Sequence, residues 1–332
     1  MLQTVSKPRS ADVGLSFGTL PRGEHNAITD VCEVKVGHTT CISSDDVRTG
    51  VTAVVPCAKF WQRTCRAATF TIHGNGQLTG ADWVNTVGRL ESPIMLTNTL
   101  CVGNVYTGVI EYMLAACPED PIILPVVSEC YDGFLNNINK LTVTPAHARQ
   151  TIANAKTGAV AEGNVGAGTG MRAYDFKAGI GTASRYMGDD NFTVGVLVNS
   201  NGGERQDLRL AGKALNTSSI AIPPRSRDGS FVLVIATDAP LDALYLQQLA
   251  RRAAHGLART GTYSAYGSGE FAIAFSTATT TQDLTIAQIN RLYLAVADAC
   301  EEAIWNSMLA ADTMSGYQQH ILEAIPIEVL TC

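Results

Sequence analysis

Five short apolar runs, each bounded by Gly, Asn, Asp or Pro, constrain the fold of this chain more than any other feature. Short apolar runs that stop at turn-forming residues are typical of β-strands. The sequence therefore predicts a sheet built from several short strands. The runs lie at residues 51–55, 67–72, 193–198, 231–236 and 271–275.

Two longer segments, residues 241–257 and 285–310, carry apolar residues at helical spacing. Apolar side chains three or four positions apart lie on one face of a helix. Both segments are predicted to be amphipathic helices packed on a sheet, and the fold class is therefore predicted to be α/β.

Composition limits the size of the core and the classes of partner. With 332 residues, of which 46% are hydrophobic, the chain can form one large domain or two ordinary ones. Its net charge is -6 and its 24 basic residues are scattered, so nucleic acid is not an expected partner. No segment has the apolar length of a signal peptide or a membrane span, so we expect a cytoplasmic protein with no membrane partner.

The nine cysteines include no Cys-x-x-Cys pair, and the six histidines show no ligand spacing. We therefore expect reduced, mostly buried thiols, with no metal site and no cofactor. A glycine-rich run at residues 163–170 suggests dinucleotide binding, but its spacing is not Gly-x-Gly-x-x-Gly and no clear strand precedes it. We expect these glycines to bring the backbone close to a ligand or a neighbouring strand.

The tripeptide Asp228-Gly229-Ser230 lies directly before the apolar run at residues 231–236. A serine hydroxyl that follows glycine faces an unhindered carbonyl, because glycine has no side chain and tolerates unusual backbone angles. Attack would cut the chain between Gly229 and Ser230 and leave Ser230 with both a hydroxyl and a free α-amine of pKa near ~8, suited to act as a base. On its own, the same tripeptide is typical of a turn before a strand.

Ser268 and Glu270 open the predicted strand at residues 271–275. Because side chains two positions apart in a strand point the same way, the hydroxyl and the carboxylate are expected to share one face. Such a pair can orient a proton near a nucleophile, whereas the simpler interpretation is a polar turn.

Two further polar residues follow apolar stretches. Asn201, expected in a turn flanked by glycines, has a side-chain amide that can donate to an oxyanion. Glu129 can accept hydrogen bonds from a substrate ammonium group, although each residue alone is typical of ordinary turn or surface chemistry.

Together these segments resemble the β-peptidyl aminopeptidases and L-aminopeptidase/D-esterases, a family of self-processing N-terminal-nucleophile hydrolases. The resemblance runs through nearly the whole chain, in the expected order. Its motifs lie at residues 20–31, 36–38, 74–80, 93–99, 162–166, 179–185, 228–230, 236–241, 267–270, 274–278 and 301–304.

The resemblance implies a role for each candidate residue. Ser230 corresponds to the nucleophile freed by autocleavage after Gly229, with Ser268 and Glu270 as its supporting serine and carboxylate. Asn201 corresponds to the oxyanion donor, and Glu129 to the acid that holds the substrate amine.

The implied fold is a single domain, a four-layer αββα sandwich with two central sheets, similar to ornithine acetyltransferases. Autocleavage would give residues 1–229 and 230–332, assembled as a tetramer of heterodimers. The implied activity is an aminopeptidase acting on short peptides, amides or esters of α-L, β or D amino acids. The alternatives are acyl transfer to an amine and an uncut, non-catalytic ligand-binding protein.

Two residues depart from the family pattern. Gln77 stands where glutamate is frequent, and Gly202 replaces the usual aromatic residue after Asn201. These changes bear on substrate preference more than on mechanism.

Overall fold

The computed structural model describes residues 7–118, 124–217, 220–223 and 229–330. Asp228, from the tripeptide considered above, lies outside the described residues. The strands are β1 Lys35–Ser43, β2 Val47–Val55, β3 Cys65–Gly74, β4 Arg89–Leu90, β5 Ile94–Asn98, β6 Val126–Cys130, β7 Arg172–Ala173, β8 Phe176–Lys177, β9 Ile180–Tyr186, β10 Thr193–Asn201, β11 Arg209–Leu210, β12 Lys213–Ala214, β13 Ser230–Thr237, β14 Gly269–Ser276, β15 Met314–Ser315 and β16 Ile321–Leu322. The α-helices are α1 Ala81–Val87, α2 Val102–Ala116, α3 Pro145–Ala153, α4 Ala243–Thr260 and α5 Ile286–Leu309.

Ten of these strands form two main sheets. The smaller sheet has the order β1-β2-β5-β6, in which only β5 and β6 run parallel. The larger sheet has the order β4-β3-β14-β13-β10-β9, in which only the central pair β13 and β14 runs parallel. Helices α2 and α3 contact the smaller sheet, and α4 and α5 contact the larger one. The α/β class predicted from the sequence is confirmed.

Strand β13 illustrates why the predicted strands read as continuous apolar runs. Alternate side chains of a strand point to opposite faces, so a strand covered on both faces needs apolar residues at every position. The side chains of Phe231, Leu233 and Ile235 lie in the core cluster that contains α4 and α5. Those of Val232, Val234 and Ala236 lie in a second cluster, which also contains side chains of β2 and β5 from the smaller sheet.

Both predicted long helices are present, and capping residues set where they begin. The Asp242 side chain accepts a hydrogen bond from the backbone N–H of Tyr245 (2.9 Å), so α4 begins at Ala243, two residues later than the apolar pattern suggests. Thr285 and Gln288 form a capping box at the start of α5.

The glycine-rich run approaches a neighbouring strand, one of the two expected outcomes. Gly163 and Ile180 exchange backbone hydrogen bonds of 2.7 and 3.1 Å beside β9. A Cβ on Gly168 would lie 2.3 Å from the Ile180 nitrogen, so only glycine fits there. Among the described residues, no helix combines the length and the apolar content needed to cross a membrane.

Candidate active site

Ser230 is the first residue of β13, at the centre of the larger sheet. It lies opposite Asn201 on β10 and opposite Gly269 on β14. Its side chain is almost fully buried. The register of three strands therefore determines what surrounds the predicted nucleophile.

The carbonyl of Gly229, which belongs to the predicted scissile peptide, is held by the neighbouring strand. It accepts a hydrogen bond of 3.0 Å from the backbone N–H of Gly269. A Cβ on Gly229 would lie 2.2 Å from Gly202 Cα and 2.4 Å from the Asn201 carbonyl oxygen. Glycine is thus required at position 229, because any side chain would push the strands apart.

Ser268 and Glu270 lie on either side of Gly269, and their side chains meet as expected. Ser268 Oγ donates a 2.8 Å hydrogen bond to Glu270 Oε1. Both residues are buried, and the second carboxylate oxygen, Oε2, has no partner in the described part of the chain. Glu270 Oε2 can therefore accept a further hydrogen bond.

Asn201 is the last residue of β10, so the turn predicted around it is wrong. The ladder continues through Asn201 because Ser230 pairs with it. Its Nδ2 donates to the Tyr131 carbonyl (2.9 Å) and lies 3.4 Å from Ser230 Oγ. Its Oδ1 accepts from the backbone N–H of Arg172 (3.0 Å). These contacts fix the orientation of the amide, with its NH₂ group directed at the serine.

Glu129 lies in β6 of the smaller sheet and is almost fully buried. Its Oε1 accepts from the Gln77 backbone N–H (3.2 Å), and its Oε2 accepts from Thr99 Oγ1. Burial raises the pKa of this carboxyl above its usual range, although the two hydrogen bonds act in the opposite direction. The departure at Gln77 therefore leaves its contact with Glu129 intact, because the backbone makes it.

A cavity of about 80 Å³ opens beside the first residues of β13 and β14. Gly229, Asn201, Ser268 and Glu270 line it, whereas Glu129 does not. The structure thus brings Asn201, Ser268 and Glu270 together at one cavity, and Glu129 lies outside its lining. The remaining lining residues are Tyr131, Phe134, Arg172, Asp175, Gly202, Gly203, Glu204, Asp207, Thr262, Tyr263 and Ala265.

The ionisable side chains around this cavity are mostly acidic. Among the described residues, four carboxylates and one guanidinium line it: Asp175, Glu204, Asp207, Glu270 and Arg172. Arg172 Nε donates to Asp175 Oδ1 (3.0 Å), so the opposite charges of these two side chains offset each other. An acidic lining of this kind favours a positively charged ligand.

Some groups at the site leave no local mark in the sequence. The Gly269 N–H and the Tyr131 carbonyl are backbone groups, and their role depends on strand register. Arg172 reaches the cavity from the two-residue strand β7 and Asp207 from a short 3₁₀-helix, Arg205–Asp207, and neither element is long enough to show an apolar period. The one available signal was position, since Gly269 lies between Ser268 and Glu270 and Tyr131 follows Glu129 by two residues.

Comparison with known proteins extends these observations to the whole chain. Residues 26–322 match the model of peptidase family S58. The β-peptidyl aminopeptidase BapA of Sphingosinicella xenopeptidilytica is 39% identical, over 98% of this chain and 91% of the relative.

Two solved structures have nearly the same fold. A β-aminopeptidase from a Burkholderia species superposes with a TM-score of 0.91 at 37% identity, covering 97% of each chain. The L-aminopeptidase D-Ala-esterase/amidase of Ochrobactrum anthropi, described as a variant of the Ntn hydrolase fold, gives a TM-score of 0.89 at 37% identity, covering 98% of this chain and 97% of its own. The predicted resemblance and the expectation of a serine-type aminopeptidase are confirmed. The chain belongs to peptidase family S58.

Proposed function

We propose that this aminopeptidase cuts its own chain between Gly229 and Ser230 and then uses Ser230 as an N-terminal nucleophile. The products would be residues 1–229 and 230–332 of a single domain. The observation that carries the proposal is the placement of the scissile peptide. Its carbonyl already accepts a hydrogen bond from Gly269 N–H (3.0 Å), and its serine begins a buried central strand beside Asn201.

Self-cleavage replaces an amide by an ester and then by a carboxylate. Ser230 Oγ loses its proton and attacks the Gly229 carbonyl carbon, and the Gly269 N–H stabilises the negative charge that develops on the oxygen. The C–N bond breaks, and the Ser230 nitrogen takes up a proton as it leaves. Water then hydrolyses the ester, which leaves a carboxylate on Gly229 and a free amine on Ser230.

Turnover repeats this chemistry on a substrate. Ser230 Oγ attacks the first amide or ester carbonyl, and its α-amine, supported by Ser268 and Glu270, accepts the proton and returns it to the leaving group. Asn201 Nδ2, 3.4 Å from Ser230 Oγ in the uncut chain, is the side-chain donor for the oxyanion. Water releases the acyl group and regenerates the serine.

The substrate is a short peptide, amide or ester with a free amine. We assign the amine to Glu129, a buried carboxylate with a raised pKa. The negatively charged cavity supports a cationic substrate, since it attracts the ammonium group. β-Aminoacyl, α-L-aminoacyl and D-aminoacyl groups are the classes to test, given the names of the relatives.

We also propose that the two sheets form the inner layers of an αββα sandwich, as in the ornithine-acetyltransferase-like fold. Support comes from the core cluster shared by both sheets and from the separate helix pairs on each sheet. The cleaved protein is proposed to be a cytoplasmic tetramer of heterodimers. Exposed apolar side chains such as Leu244 and Ile286 support burial in an assembly, and the eight free cysteines of the described residues support a reducing compartment.

Denaturing electrophoresis and intact mass of freshly purified protein test the proposal, together with an assay on aminoacyl p-nitroanilides of the α-L, β and D classes. We expect two chains that begin at Met1 and Ser230, and release of p-nitroaniline only from substrates with a free amine. A single 35.2 kDa chain with full activity would contradict it.

Product analysis with an added amine acceptor separates hydrolysis from acyl transfer. Light scattering tests the proposed tetramer of heterodimers. A monomeric protein would contradict it.

A further inference from the structure

A second cavity, of about 280 Å³, lies at the opposite end of β14 from Ser268. Strand β14 is eight residues long, which separates the two ends by roughly 25 Å. We call it the arginine cavity. Its polar lining consists chiefly of Arg63, Arg66, Arg89, Thr64, Thr277 and Thr279.

Two of these arginines face each other across a strand pair. Arg66 on β3 is the register partner of Arg89 on β4. Like charges at directly opposed positions destabilise a sheet unless an opposite charge offsets their repulsion. Arg66 Nη1 donates only to the Ala278 carbonyl (3.3 Å), and Arg89 makes no hydrogen bond or ion pair within the described part of the chain.

Acidic side chains do not compensate for this charge. Among the described residues, the cavity lining contains three arginines and no carboxylate, in a chain whose net charge is -6. Arg63 is neutralised by Glu33, to which its Nη1 donates (3.1 Å). The guanidinium groups of Arg66, half-buried, and Arg89, exposed, have no carboxylate partner among the described residues.

Hydroxyl donors complete the lining. The side chains of Thr64, Thr277 and Thr279 make no hydrogen bond among the described residues. Guanidinium groups bind phosphate-like anions through paired N–H donors, and hydroxyl groups add further donors. The combination is chemically suited to a tetrahedral oxyanion, and its described residues offer no carboxylate to a cation.

We propose that the arginine cavity binds phosphate, either as the free anion or as the monoester of a small molecule. The bound anion neutralises the opposed pair Arg66 and Arg89 and ties the loop after β14 to β3 and β4. This inference does not depend on self-cleavage or on turnover at Ser230, because it concerns a different end of the sheet.

Thermal melts and calorimetric titration with inorganic phosphate test the proposal, at an ionic strength held constant with chloride. We expect a saturable rise in Tm for the wild type. Arg89→Gln should bind phosphate about 10-fold more weakly or worse, since it loses charge-assisted hydrogen bonds. In phosphate-free buffer the same variant should melt at or above the wild-type temperature, because the repulsion is removed.

Two further variants keep the result interpretable. Arg66→Gln should behave as Arg89→Gln does, and Arg149→Gln, which removes an exposed arginine on α3, should keep the wild-type response. A parallel titration with glycerol phosphate separates a monoester from free phosphate. The proposal is overturned by a wild-type Tm that does not respond, by an equal response to chloride alone, or by an unchanged response in both cavity variants.

Discussion

The two main sheets contribute to the site in different ways. In the larger sheet, strand register positions Gly229, Ser230 and Asn201 around the Gly269 N–H. In the smaller sheet, β6 carries the buried carboxyl of Glu129, and Asp132 follows two residues after this strand. Burial raises the pKa of both groups. A change in the larger sheet should therefore affect the chemical steps, whereas a change in the smaller sheet should affect pH dependence, substrate binding and stability.

The largest effect is expected in the larger sheet, from Ser230→Ala. This variant lacks the hydroxyl that we propose as the nucleophile, so it should stay as one chain and lose turnover by at least about 10⁴-fold. Intact mass and p-nitroanilide hydrolysis measure the two losses.

Ser200→Ala is the matched control, because Ser200 Oγ is also buried and has no partner within the described residues. It should cleave and turn over as the wild type does. Cleavage that persists in Ser230→Ala would remove Ser230 as the nucleophile.

Asn201→Ala should come next, because it removes the side-chain donor directed at Ser230 Oγ. We expect kcat to fall by about 100- to 1000-fold with little change in KM, measured per mole of cleaved enzyme. Asn199→Ala is the control. It removes a buried side-chain amide, two residues earlier on the same strand, whose atoms have no hydrogen-bond partner among the described residues. If Asn199→Ala costs as much activity, the loss reflects packing and the oxyanion role is wrong.

Glu129→Gln tests the smaller sheet's part in substrate binding. Only the ionised carboxylate binds the substrate ammonium strongly, so the variant should lose about 10- to 100-fold in kcat/KM. Because burial raises the pKa of Glu129, wild-type kcat/KM should fall on acidification at a higher pH than for an ordinary glutamate. The variant should lack this acidic limb.

An N-acetylated substrate serves as the control for Glu129. It has no ammonium group, so the wild type and Glu129→Gln should cleave it equally poorly. If the wild type and Glu129→Gln cleaved free-amine substrates at equal rates, the substrate amine would instead bind to the carboxylates that line the cavity.

The smallest effect is expected from Asp132→Asn, in stability. Burial raises the pKa of Asp132 from 3.8 to about 7, and its Oδ1 accepts from Asn136 Nδ2 (3.0 Å). Between pH 3.8 and about 7, Asp132 is protonated in the folded chain and ionised in the unfolded chain. The free energy of unfolding therefore falls as pH rises through this range.

The variant does not titrate, so its Tm should exceed that of the wild type by a few degrees at pH ~8, and the difference should shrink towards pH ~4. Differential scanning calorimetry across this range measures it. Asp283→Asn, at an exposed carboxyl, should show no such trend. A constant difference at all pH values would contradict the assignment to Asp132.

The sequence predicted what depends on local periodicity. The apolar runs located β13 and β14, and the two-residue spacing placed Ser268 beside Glu270. Contacts between distant segments were not predictable, because no local pattern records strand register. The Gly269 N–H on the Gly229 carbonyl and the opposition of Arg66 to Arg89 are examples. The turn predicted at Asn201 failed for the same reason, since its pairing with Ser230 extends β10.

The hydrogen bond between Gly269 and the Gly229 carbonyl has a kinetic consequence. In the proposed self-cleavage, the attacking serine, the carbonyl it attacks and the donor that polarises that carbonyl all belong to one chain. Maturation by this route would be a first-order process, with a half-time that does not change on dilution and no need for an activating protease. Departure of Gly229 after the proposed cut would free the same N–H, so the first peptide served by this donor would be the enzyme's own.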